Sequence, residues 1–194
     1  DAAVAHAVSD AAPDAATPKA PFPAAFYLAN TVELLERLAF YGTYVVLSVY
    51  LTSVARLDDV TAGDVMALYA FFRLGPIVGG VIADRIGFRT ALVVSLVVYA
   101  LGYGALLAAR DATLARTAIV LIGLAGALFK PIITATVVRT SPPGRQTEGF
   151  AIFYRMVNGG SVVGKTLTYA IRVWGKALAL VPVTPVIASL AAAA

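Results

Sequence analysis

Six apolar stretches, each near the length of a bilayer crossing, recur along this chain at residues 24–52, 65–83, 90–109, 117–138, 149–170 and 177–194. Hydrocarbon offers no partner to a backbone N–H or C=O, so only the helix and the closed β-barrel can span it. Barrel strands alternate apolar and polar residues over about ten positions. These runs are instead long, continuous and rich in Ala and Leu, which predicts helices. The expected fold is an all-α membrane protein, a bundle of six transmembrane helices over residues 24–194. Composition agrees, because 60% hydrophobic and 13% charged residues with a mean hydropathy of +0.84 exceed what a soluble domain tolerates. The lipid bilayer is therefore the first expected partner.

Residues 1–23 read differently. Rich in Ala, Pro and Asp, they lack the basic start and apolar centre of a signal peptide, and they predict a disordered tail in which the lone His6 is solvated. The chain begins at Asp1 and stops within or just after an apolar run, which reads as part of a longer chain. Absence of cysteine excludes disulfides and thiolate metal sites. Basic residues on the side expected to face inward (Lys19, Arg85, Arg89, Arg139, Arg145) equal in number those expected outside (Arg56, Arg110, Arg116, Arg172, Lys176), so charge alone does not orient the bundle.

Charge inside the first run is the functional signal. Glu33, Glu36 and Arg37 fall within five positions of a span, where each ionised side chain costs roughly 2.5 to 3.5 kcal/mol at mid-membrane. Such residues need partners. At about 100° per residue, Glu33, Glu36, Arg37, Phe40 and Tyr44 share one sector of the helix with Tyr41 at its margin, a face expected to line a cavity. Lys130 lies midway along the fourth run, and a carboxylate of the first run is its natural partner. Pro131 beside it lacks a backbone donor and is expected to loosen that helix. Burial favours the neutral form of a carboxylate and a nearby cation favours the charged form, so Glu33 or Glu36 is a candidate proton carrier whose partners Arg37 and Lys130 are released on protonation. The competing reading of these four charges is an inert packing network.

Further segments carry a family resemblance. Gly80-Val-Ile-Ala-Asp84-Arg85-Ile-Gly87-Phe-Arg89 matches the G-x-x-x-D-R-x-G-x-R loop of the major facilitator superfamily. An Asp and Arg residues about a tight Gly turn can hold two helices together by charge-assisted hydrogen bonds in one conformational state. Gly126-Ala-Leu-Phe-Lys130-Pro131, the run Phe150 to Ser161 around Asn158, and the Glu33 to Gly42 segment together resemble the proton-dependent oligopeptide transporter family, a branch of that superfamily, over most of residues 26–163.

The resemblance implies the amino-terminal half of a transporter of two six-helix halves, lying in the cell's inner membrane and moving small peptides together with protons. It further implies an inverted repeat within the half, though none is visible in the letters, and a missing carboxy-terminal half that supplies an acidic partner for the peptide's amino group. Carried over residue by residue, it implies that Tyr41, Tyr44, Lys130 and Asn158 bind substrate. Glu33, Glu36, Arg37 and Lys130 would couple protons, and Gly80, Asp84, Arg85, Gly87 and Arg89 would form a conformational loop. Tyr41 and Tyr44 alternatively pack as interfacial aromatics, and Asn158 alternatively bonds another helix beside Gly159 and Gly160.

Three positions depart from the pattern. Tyr44 stands where peptide-transporting relatives often carry a basic residue, Phe40 replaces the first tyrosine of a usual pair, and Arg155 occupies a commonly apolar place. Nitrate, a sugar or a drug-like solute therefore remains an alternative substrate, and a non-transporting half that packs against another membrane partner is a third reading.

A rival motif lies at Gly159 to Thr166, which satisfies G-x-x-x-x-G-K-T. A phosphate-binding loop needs a strand, a loop and then an exposed helix start, whereas this stretch continues an apolar span, so Lys165 is expected to reach for the membrane interface. No nucleophile–base pair or metal cluster is visible in the letters, so no enzyme chemistry, cofactor, metal or nucleic-acid partner is expected.

Overall fold

A computed structural model describes residues 20–72 and 75–194, apart from the side chains of Ile77 and Val78. His6, Lys19 and nearly all of the predicted tail lie outside the described residues. Among the described residues eight α-helices follow in order: α1 (Ala24–Tyr44), α2 (Leu47–Ser53), α3 (Asp59–Phe71), α4 (Pro76–Ile86), α5 (Phe88–Ala108), α6 (Ala112–Thr140), α7 (Gln146–Tyr169) and α8 (Val183–Ala193). No strand occurs among the described residues.

The six apolar runs map onto these helices with local differences. The first run is two helices, α1 and α2, bent by 50° across Val45 and Val46, and this pair together is apolar enough for one broken span. Tyr50 of α2 anchors the bent end by donating its hydroxyl to the Leu106 carbonyl of α5 at 2.9 Å. The second run is split into α3 and α4. Helices α5 and α6 are each long and apolar enough to cross a membrane unbroken. Helix α7 continues into a π-helical turn at Ala170–Trp174, and the sixth run is a short 3-10 turn followed by α8.

Sequence explains the helix ends. Asp58 caps α3 by accepting from the Thr61 amide at 3.0 Å, and Asp111 caps α6 by accepting from Leu114 at 2.9 Å. Helices α4 and α5 are joined by Gly87 alone, whose φ of 85° strains any residue with a side chain. Gly87 thus accounts for one letter of the loop motif.

Helix α6 is central, touching α3, α4, α5, α1 and α7, while α8 lies against both α1 and α5. Helix α1 packs most closely along α7. Small residues make that possible: Gly160 and Gly164 lie one turn apart, and a Cβ at Gly160 would stand 2.9 Å from the Arg37 Cβ. At Gly164 it would collide with the Leu38 carbonyl. The backbones meet directly, as expected where lipid gives no hydrophobic drive for helix association.

Pro131 does not interrupt α6. Its missing N–H leaves the Ala127 carbonyl without a helical donor, and Gly79 of α4 packs against that carbonyl so closely that no Cβ would fit.

Candidate functional site

Four charges meet where α1 crosses α6. Glu33 and Glu36, spaced i and i+3, point inward from α1 and are 0% and 4% exposed. Lys130 of α6 donates from Nζ to Glu33 Oε1 at 2.5 Å. Arg37 lies one turn from Glu33, with its Nε 2.5 Å from Glu36 Oε2 and 3.3 Å from Glu33 Oε1. The Tyr99 hydroxyl of α5 completes the cluster by donating to Glu36 Oε1 at 2.8 Å.

Charge explains why the cluster is stable as a unit. Two carboxylates and two cations sum to zero, so the group is neutral when all four are ionised, and each loss of one member exposes an uncompensated charge. The satisfaction is uneven. Both oxygens of Glu36 accept a hydrogen bond, whereas Glu33 uses Oε1 alone and its buried Oε2 has no partner among the described residues.

One cavity of about 180 Å³ opens onto this cluster. Arg37, Lys130 and Tyr99 line it from one side, with Phe40, Tyr69 and Phe72. Its two cations are partly accessible, with the Lys130 side chain 34% and the Arg37 side chain 12% exposed. A small solute carrying an anionic group could meet either cation if a glutamate released it.

The remaining sequence-named residues sit elsewhere. Tyr44 is half exposed and stacks on Phe40 at 5.9 Å and on Tyr69 at 5.7 Å, extending the cavity's aromatic wall without lining the cavity itself. Tyr41 lies beneath the Lys165 ammonium at 4.9 Å, with the Arg37 guanidinium 5.9 Å from its ring. Asn158 and Arg155 are on an exposed part of α7 and do not border this cavity. Gly80, Asp84 and Arg85 belong to α4, and Arg89 to the first turn of α5. Asp84, Arg85 and Arg89 are exposed and form no ion pair among the described residues, while Arg139 of α6 reaches across to the Phe88 ring at 4.4 Å. The Gly159 to Thr166 stretch is uninterrupted helix within α7, packed on α1, and so has no phosphate-cradling loop.

Tyr99 was not foreseen from the sequence. A tyrosine in an apolar run resembles ordinary packing, and its hydroxyl's need for an acceptor at mid-span is shared with Tyr103, so the letters hold no signal that singles it out.

Comparison with known proteins fits this arrangement. The chain is 29% identical over 153 residues to dipeptide and tripeptide permease A of Proteus mirabilis, covering 75% of this chain and 31% of that protein. It is 28% identical over 132 residues to multidrug resistance protein MdtH of Photorhabdus laumondii, covering 68% and 33%. The chain thus spans about a third of the length of the curated relatives it matches. Among solved structures, a peptide transporter POT in complex with sulfate superposes with a TM-score of 0.79 at 24% identity, over 91% of this chain and 38% of that one. A POT family transporter in complex with 5-aminolevulinic acid superposes at 0.78 with 26% identity, over 88% and 37%. The family model described as Major Facilitator Superfamily matches residues 31–194. With a helical bundle of the same shape and a matching sequence from the charged helix to the final one, the chain belongs to the Major Facilitator Superfamily.

Proposed function

We propose that this chain is the amino-terminal half of a proton-coupled symporter of small peptides, of the oligopeptide transporter branch, working by alternating access in the cell's inner membrane. The observation that carries the reading is the neutral cluster itself, in which both cavity-lining cations, Arg37 and Lys130, are held by carboxylates of one helix. Adding a proton to Glu33 or Glu36 leaves the cluster with one unpaired positive charge. That charge can seat the terminal carboxylate of a peptide, so proton and solute bind together and favour closure of the halves. Glu33 Oε2 is the better-placed acceptor because it is the one oxygen of the two glutamates without a donor among the described residues. In this reading Tyr41, Tyr44 and Asn158, which stand outside that cavity, contact the part of the solute that extends beyond it, and Gly80, Asp84, Arg85, Gly87 and Arg89 act as the conformational loop. The peptide's amino group meets the other half.

A second reading has a specific observation behind it. The Phe40, Tyr44 and Tyr69 stack beside the cavity presents aromatic faces where the resemblance calls for a basic residue, which suits a drug-like solute, and the likeness to a multidrug resistance protein points the same way. Glu36→Gln in the longest native product of the gene tests coupling under either substrate. Gradient-driven uptake into liposomes is expected to vanish in the variant, and uptake equal to that of the unaltered protein would reject proton coupling through this cluster.

A further inference from the structure

Tyr99 reaches Glu36 only because of a glycine on a third helix. A Cβ built at Gly126 of α6 would stand 2.8 Å from the Tyr99 hydroxyl oxygen, closer than real Cβ contacts allow. Gly126 belongs to the same segment as Lys130, one turn away, so α6 supplies both the cation for Glu33 and the space for the donor to Glu36. The phenol ring is fixed as well, lying 5.9 Å from the Tyr103 ring in a stack and 6.1 Å from Phe129 edge-on. Tyr103 makes a natural control, because its buried hydroxyl feels Glu36 only at a distance and has no hydrogen-bond partner among the described residues.

The consequence is a division between two carboxylates that the sequence makes look alike. Among the described residues, the charged and titratable groups around Glu36 are Glu33 and Arg37 on α1, Tyr99 and the more distant Tyr103 on α5 and, through Glu33, Lys130 on α6. Without the Tyr99 donor, Glu36 would have one bare oxygen, just as Glu33 has. With it, each Glu36 oxygen has a donor that favours the charged carboxylate, whereas Glu33 Oε2 has none among the described residues.

We infer that Tyr99, seated by Gly126, is a positioning residue that holds Glu36 as the lasting partner of Arg37 and so directs the transported proton to Glu33. This rests on the proton-coupled reading above. Its signature is loss of coupling with solute binding intact. In the reconstituted longest native product, Tyr99→Phe is expected to lower gradient-driven uptake roughly tenfold, the worth of one hydrogen bond to a charged group, while gradient-free solute exchange persists. Tyr103→Phe is expected to leave both unchanged. Gly126→Ala should reproduce the Tyr99→Phe loss, and adding it to Tyr99→Phe should cost little more, because the hydroxyl it displaces is already gone.

Equal loss of driven uptake and exchange would make Tyr99 a packing residue and overturn the inference, as would a Tyr99→Phe protein that couples normally. A second measurement needs no transport. In purified protein labelled with carbon isotope in tyrosine, the Tyr99 ring signal, assigned by its absence in Tyr99→Phe, should move in Glu36→Ala and stay in place in Asn158→Ala. A Tyr99 signal indifferent to Glu36 would overturn the inference while leaving symport standing. If the unaltered protein moves no solute but the signal responds, symport fails and the coupling role falls with it.

Discussion

Removing Lys130 would leave Glu33 charged, enclosed and paired only with Arg37 at 3.3 Å. Breaking a buried pair from one side commonly costs about 3 to 5 kcal/mol, more than either partner contributes when both are present. Lys130→Ala is therefore expected to lower the thermal midpoint of the purified protein, and adding Glu33→Gln should restore most of the loss. A Lys130→Ala protein as stable as the original would mean that the pair is solvated and the site open. The pairing of Lys130 with the first helix was readable from the sequence because an isolated cation at membrane depth demands a carboxylate. Tyr99 was not, since nothing in the letters distinguishes a tyrosine that donates to Glu36 from the one a turn later that does not. The Asp84 and Arg85 motif was readable as letters, but its expected charge-assisted bonds are not formed among the described residues; Gly87 geometry and the Arg139–Phe88 contact join the helices there instead.

Backbones also meet along the α1–α7 seam, and Gly164 is its closest point. Gly164→Leu is expected to push α1 away from α7 and destabilise the bundle by about 1 to 3 kcal/mol, read as a lower yield of monodisperse protein and a lower thermal midpoint. The same substitution at Gly63, which has open space around it, should do far less. Helix α3 offers a pH test. Hydrogen bonds from Thr61, side chain first and backbone second, hold the Asp58 carboxyl below the ordinary carboxylate range. A lowered folded value means the cap stabilises above the unfolded value and is lost as pH falls through the folded one. Protection of the Thr61 amide relative to its intrinsic exchange rate should therefore fall on acidification, and that fall should be absent in Asp58→Ala. Span positions were legible from hydropathy, while the bend in the first run was not, since no Gly or Pro stands at Val45 and Val46; Pro131, expected to loosen its helix, lies in an unbroken one.

At the scale of the molecule, α6 gathers the helices so that charges from α1 and α6 and the Tyr99 hydroxyl of α5 converge on one cavity between them. Fold class followed from hydropathy, and the family followed from several separated motifs whose residues the fold distributes over α1, α4, α6 and α7. Substrate did not follow, because Tyr44 and the aromatic stack beside it are compatible with more than one solute and the chain spans about a third of its curated relatives. The decisive measurement is uptake of labelled dialanine into liposomes holding the longest native product of this gene, with and without an inward proton gradient. Accumulation only when the gradient is present is the predicted result. No gradient-dependent accumulation of dialanine, or of any member of a panel of nitrate, sugars and drug-like solutes, would contradict proton-coupled transport.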